Sequence, residues 1–151
     1  MIRDATADDL DALVALGQAM HDESRFSVLE YSPQKVRALL SSLIGSQYMK
    51  VVESGGSVVG GFAGVVLPHW SSQDLVGYDL GLFMSRDNRG GGTAAYLLNG
   101  FRKWALSRGA KMVTIGISTG VEVEKTRELY DRLQFRTVGY ICEGVQDVSR
   151  T

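Results

Sequence analysis

Cysteine is almost missing from this chain: Cys142 stands alone among 151 residues. A single cysteine excludes an intrachain disulfide and makes a reducing compartment the simplest setting. Long apolar runs are missing too, since no stretch approaches the roughly 20 residues of a membrane span. The opening Met1-Ile2-Arg3-Asp4-Ala5-Thr6 has none of the apolar length of a secretory leader. No group of histidine, cysteine and carboxylates stands at metal-ligand spacing, so no metal is expected. Repeats, low-complexity tracts and linkers are absent as well. The expectation is a cytoplasmic protein without membrane attachment, folded as one domain over residues 1–151. Its 44% apolar and 22% charged residues are those of an ordinary globular chain able to bury a core.

Charge is nearly balanced overall, at −1, but unevenly placed. Residues 1–85 hold five Lys/Arg against ten Asp/Glu, whereas residues 86–136 hold ten against five. Either these are solvated helix faces, or the basic half receives an anionic ligand and the acidic half a cationic one. No basic-aromatic ladder or DNA-reading motif accompanies the basic half, so nucleic acid is not the expected partner.

Periodicity orders the elements. A short strand at Ile2–Ala5 precedes Thr6-Ala7-Asp8-Asp9, a capping hydroxyl followed three residues later by a carboxylate. Leu10, Leu13, Val14, Leu16 and Met20 continue at helical spacing. His21 to Tyr31 lose the period and read as a loop. Ser32-Pro33 opens a second helix with Val36, Leu39, Leu40 and Leu43 as its apolar stripe. Strands are expected at 48–53 and 57–67, around the turn Ser54-Gly55-Gly56, and at 75–84. Gly81 inside the third of these marks either a bulge or a close approach of another backbone or a ligand. A helix from Ala94, buried through Leu97, Leu98, Phe101, Trp104 and Ala105, ends near Arg108-Gly109. Lys111 to Ile117 reads as a strand, and Thr119 to Glu122 as a capping box opening a helix with Val123, Leu129, Tyr130 and Leu133. Phe135 to Cys142 reads as a sixth strand, with a short seventh after it. The order β-α-α-β-β-β-α-β-α-β is that of a mixed sheet with helices on its faces.

The most telling stretch is Arg89-Gly90-Gly91-Gly92-Thr93-Ala94. It lies between the strand ending Leu82-Phe83-Met84 and the helix after it. Glycines admit a ligand close to the main chain, and the first N–H groups of a helix lack intrahelical partners and carry its positive dipole end. A strand, a glycine turn and a helix start in that order form a site for a pyrophosphate. The stretch has neither Gly-x-x-x-x-Gly-Lys-Ser/Thr nor Gly-x-Gly-x-x-Gly spacing, which argues against a P-loop or a dinucleotide fold.

Arg89, Gly92 and Ala94 also fill the acetyl-CoA signature of the GNAT N-acetyltransferase superfamily, which the chain resembles over nearly its whole length. That signature is Arg or Gln, two residues, Gly, one residue, then Gly or Ala. A second likeness is Leu129-Tyr130-Asp131-Arg132-Leu133-Gln134-Phe135, where the family commonly reads Leu-Tyr, a short spacer and Gly-Phe. Gln134 stands for that glycine, and Val123 for an asparagine often found seven residues before the tyrosine. The final strand looks shortened.

The resemblance implies an α/β fold with a central splayed sheet, and acetyl transfer from acetyl-CoA to a primary amine. The splay lies between the strand ending Leu82-Phe83-Met84 and the one starting near Lys111. Leu82, Phe83, Met84, Arg89, Gly90, Gly91, Gly92, Thr93 and Ala94 would then hold the cosubstrate, with the N–H near Met84 facing the thioester oxygen. Phe83 and Met84 side chains are otherwise core. Tyr130 is the candidate general acid, since a phenol of pKa about 10 stays protonated at neutral pH. Asp79, on the same strand as the carbonyl-binding residues, is the candidate base, with His69 and Glu23 behind it. The acceptor site is expected from the 21–31 loop and the Pro68–Ser72 connection, both overhanging the open end of the cleft. Glu23, Phe26, Tyr31, His69 and Trp70 would supply its contacts, with Asp22 and Glu30 adding negative charge. Alternatively those aromatics close a small core. The departures at Val123 and Gln134 keep open a second reading, a catalytically inactive protein of this fold that binds CoA or a protein partner. A monomer or homodimer is expected.

Overall fold

The computed structural model describes residues 1–146 and places a five-stranded mixed sheet between two helical layers. The strands are β1 (Ile2–Asp4), β2 (Tyr48–Ser54), β3 (Ser57–Pro68), β4 (Leu75–Met84) and β5 (Met112–Thr114), adjacent in that order. β1 to β4 pair antiparallel and β5 joins β4 in parallel. The helices are α1 (Leu10–Glu23), α2 (Pro33–Leu43), α3 (Thr93–Ser107) and α4 (Val123–Arg132). A parallel pair needs a crossover rather than a hairpin, and α3 supplies it.

Period-two alternation divides the strands between two cores. Met49, Val51, Ala63 and Val65 face α1 and α2, where Leu10, Leu13, Leu40 and Leu43 are buried. Tyr48, Val52 and Phe62 face α3 and its Leu97, Leu98, Phe101 and Ala105. α3 sits so close that a Cβ added at Gly64 would lie 2.4 Å from the Phe101 ring. Gly64→Ala is therefore expected to cost about 1–3 kcal/mol through overpacking, read by urea unfolding. Unchanged stability would mean that Phe101 moves freely, against its complete burial.

Two departures from regular pairing shape the centre of the molecule. Gly64 of β3 pairs with Asp79 and Ala63 with Gly81, which leaves Leu80 as an extra residue in β4. This is the bulge signalled by Gly81, one residue earlier. The β4–β5 ladder covers only Val76, Gly77 and Tyr78 against Met112, Val113 and Thr114. Beyond the bulge the two strands part. The strand expected over 111–117 is therefore shorter, because residues 115–117 have no neighbour to pair with.

The C-terminal part differs from expectation. Residues 135–146 run without regular structure, and Val138, Tyr140 and Ile141 are exposed. Val138, Tyr140 and Ile141 are residues that suit a strand, but a strand also needs a neighbouring edge, which local composition cannot supply. Of the expected seventh strand, residues 143–146 are irregular and 147–151 lie outside the described residues. No capping box opens α4. It starts at Val123 after a left-handed Glu122 (φ 46°) whose side chain caps nothing, while Thr119 Oγ1 accepts the Val121 N–H at 3.2 Å. Gln134 does take the left-handed conformation (φ 64°) that the family's glycine would adopt more easily.

Candidate functional site

The strand–glycine–helix junction builds its geometry from backbone. After β4 the chain makes a single 3-10 turn at Arg86–Asn88, then reverses through Gly90, whose φ of 90° favours glycine. Nothing lies within 4 Å of where a Cβ would project from Gly90, Gly91 or Gly92. The N–H groups of Gly90, Gly91, Gly92, Thr93, Ala94 and Ala95 find no acceptor among the described residues; the last three open α3, and Gly92 caps it. An unobstructed row of donors at the positive end of a 15-residue helix suits a polyanion.

The neighbouring edge of β4 is open as well. Ser85 N–H donates to Val59 O at 2.8 Å toward β3. Antiparallel alternation therefore turns the main-chain groups of Leu82 and Met84 the other way, into the splay. One of them is taken, since Arg89 Nε–H donates to Met84 O at 3.1 Å. The side chains follow the same division: Phe83 packs on the α1–α2 core, and Leu82 and Met84 on the α3 core.

Across the splay, Gly116 is held at both ends of its residue. Its N–H donates to the two Asp79 carboxylate oxygens at 3.2 Å each. Its carbonyl accepts the Tyr130 hydroxyl at 2.8 Å. The bulge delivers Asp79 to this spot, and α4 delivers Tyr130. Burial pushes the Tyr130 phenol well above its usual range, and the Asp79 charge adds to this. Burial also raises Asp79, against the pull of the Gly116 N–H. Two groups of opposite function, a phenol that keeps its proton and a carboxylate made more basic, thus flank one peptide.

The other predicted residues divide. Glu23 ends α1 instead of lying in a loop, and its carboxylate is occupied by the guanidinium of Arg89 and by Arg86 Nη2 at 3.2 Å. Arg89 holds it below the ordinary glutamate range, which makes it a poor base. Phe26 lies in a 3-10 turn, Arg25–Val28, with the Arg25 guanidinium 4.4 Å from its ring centre. The Tyr31 hydroxyl donates to Val14 O at 2.8 Å, and its ring rests on His21. Asp22 and Glu30 are exposed. His69 and Trp70 are not in this neighbourhood. The hairpin places them beside Leu75, at the paired end of β4 and β5, roughly 30 Å from Met84 at strand rise. Trp70 is 92% exposed there, and His69 Nδ1 lies 2.7 Å from Ser71 Oγ. An antiparallel connection must sit at the start of the strand it feeds, so it cannot overhang the end that opens.

Several contributors carried no advance signal. Gly116 is one glycine among 18, and only the fold reveals that Asp79 and Tyr130 converge on it. Arg25 was likewise invisible: its N–H donates to Thr119 O at 2.9 Å and its guanidinium to Ser118 O.

Residues 15–135 match the profile of the acetyltransferase (GNAT) family. The chain belongs to that family. GNAT chemistry is acetyl transfer, and this chain is accordingly an acyltransferase. Solved structures share its fold over nearly the full length. An aminoglycoside acetyltransferase from an uncultured soil metagenomic sample is 21% identical with a TM-score of 0.66, covering 97% of this chain and 98% of its own. A predicted acetyltransferase from Clostridium acetobutylicum, solved with acetyl-CoA, is 16% identical with a TM-score of 0.71, covering 96% and 95%. A ribosomal-protein-alanine N-acetyltransferase from Brucella melitensis biovar Abortus 2308 is 16% identical with a TM-score of 0.68, covering 97% and 98%. At such identities the likeness is one of fold. No curated protein matches the sequence. Among the described residues of this GNAT chain, no three or more His, Cys, Asp and Glu side chains are grouped to hold a metal. No described helix is long and apolar enough to cross a membrane.

Proposed function

We propose that the protein transfers an acetyl group from acetyl-CoA directly to a primary amine. The observation that carries this reading is the open row of N–H donors from Gly90 to Ala95, continuous with the splayed edge of β4. The donor set fits a diphosphate, and the edge beyond it offers main-chain partners for an amide-bearing arm. When bound, acetyl-CoA supplies the activated acyl carbon: the amine nitrogen bonds to it as the carbon–sulfur bond breaks. Holding both reactants in one cleft removes much of the entropic barrier, so no covalent enzyme intermediate is needed.

The protein's own groups handle the protons. Tyr130, kept protonated by burial, gives its proton to the departing sulfur. Asp79 takes the proton lost by the amine, directly or through water. Met84 N–H, turned into the splay, is the donor for the thioester oxygen. Phe26 and Tyr31, on the segment beside the opening, supply contacts to the acceptor. His69 and Trp70 sit too far away to share that role.

Titration calorimetry with acetyl-CoA, NAD and ATP tests the cosubstrate, and thiol release across a panel of amines tests the reaction. Binding of acetyl-CoA without thiol release would favour the inactive reading; no binding would end both. Asp79→Asn gives a sharper check, because asparagine can still accept the Gly116 N–H. A base must be ionised, so turnover in the wild type falls as pH drops through the raised Asp79 pKa, above the usual carboxylate value of about 3.9. The variant should lose that limb and run roughly tens of times slower at neutral pH. Its stability should move the other way. The folded state holds the Asp79 proton to higher pH than the unfolded chain, so wild-type stability declines as pH rises between those two pKa values. The asparagine variant escapes that decline and should be at least as stable at pH 7. An unchanged pH–rate profile would remove Asp79 from the mechanism.

A further inference from the structure

The segment from Glu23 to Arg25 touches both lips of the splay. On the β4 side, the Glu23 carboxylate receives two guanidiniums from the stretch that leads into the glycine loop. Arg89 reaches it through both terminal nitrogens, Nη1 at 3.3 Å, and Arg86 Nη2 lies at 3.2 Å. Arg89 also holds Met84 O, so one side chain joins the end of β4, the start of the loop and the end of α1. On the β5 side, Arg25 donates to Thr119 O through its N–H and to Ser118 O through its guanidinium, and pairs with Glu143 at 3.5 Å. Glu23 is only 13% exposed and Arg89 23%, so their pair is screened less than a surface ion pair, whereas Arg86 is mostly exposed.

We propose that Glu23 is a positioning residue for the cosubstrate: by gripping Arg89 and Arg86 it fixes the glycine loop at a set distance from the opposite lip, to which Arg25 anchors the same segment. This rests on the acetyl-CoA reading above. The binding element is the loop backbone, whose donors bind only when aligned. A loop that spends less time aligned binds in proportion more weakly. Neither Glu23 nor Arg25 need touch the reacting atoms.

The experiment has two arms, on wild type, Glu23→Ala and Glu23→Gln. In the free protein, trypsin cleavage after Arg89 reports whether that side chain is held, and mass spectrometry gives its rate. Glu23→Ala should raise the rate about tenfold, with Glu23→Gln between. In the second arm, the calorimetric Kd for acetyl-CoA should rise about tenfold in Glu23→Ala, and its KM should rise by more than kcat falls. Unchanged cleavage overturns the grip. Faster cleavage with unchanged Kd, or a kcat loss larger than the KM change, overturns the positioning role. If wild type does not bind acetyl-CoA at all, the functional reading fails, while the cleavage arm still decides whether Glu23 holds the loop.

Discussion

Tyr130→Phe is expected to lower turnover by roughly a thousandfold while leaving acetyl-CoA affinity within a few-fold of wild type. The argument is geometric first. Tyr130 stands on α4 with its hydroxyl 2.8 Å from Gly116 O, beside the parting of β4 and β5, and Asp79 holds the N–H of the same residue. Phenylalanine keeps the ring and its contact with Phe135, whose centroid lies 6.2 Å away, and removes only the oxygen. The stability change should be limited to about 1 kcal/mol for the lost hydrogen bond. A leaving thiolate without a proton donor should slow the chemical step and nothing else. Pre-steady-state thiol release in the variant, with chemistry rate-limiting, is the measurement. Wild-type rates there would assign the phenol to packing alone.

Gly92→Val should abolish detectable acetyl-CoA binding and leave the fold intact. The two halves of that expectation have separate causes. Position 92 has φ −73°, which valine adopts without strain, and no atom stands within 4 Å of the added Cβ, so the protein itself has no objection. The side chain enters open space beside the donor row, where the proposed diphosphate would lie. Gly90 behaves differently: at φ 90° any substitution strains the turn. Calorimetry together with thermal unfolding separates the outcomes. An unchanged Kd at position 92 would move the diphosphate elsewhere. A lost fold would mean that the loop conformation itself depends on glycine there.

Local signals were legible in the sequence because their causes are local. β4 begins and ends where its apolar run does, and α3 buries the very stripe its spacing marks. The capping carboxylate Asp9 accepts the Thr6 N–H at 2.8 Å. The glycine turn announced its donor row through the order of elements around it. What stayed hidden depends on neighbours distant in sequence. β5 is short because β4 bends away at Leu80, and residues 135–142, though rich in strand-forming side chains, have no edge to join. His69 and Trp70 lie at the other end of the sheet from the expected acceptor site, because a hairpin's composition says nothing about which end it occupies. Glu23 looked like an acceptor ligand because charge can be read from sequence, whereas its pairing with Arg89, across 66 positions, cannot.

The extra residue in β4 also governs how this region tolerates change. Tyr78 and Phe83 pack against the same core although an odd number of positions separates them, which a regular strand forbids. Leu80 resets the phase. Deleting Leu80 would leave Tyr78 and Phe83 four positions apart, which a regular strand keeps on one face, so Phe83 and Met84 would hold their sides while the bulge between Asp79 and Gly81 would be lost. Side-chain chemistry along this segment is thus adjustable by degrees, while its residue count behaves as a digital property, right or wrong with nothing between.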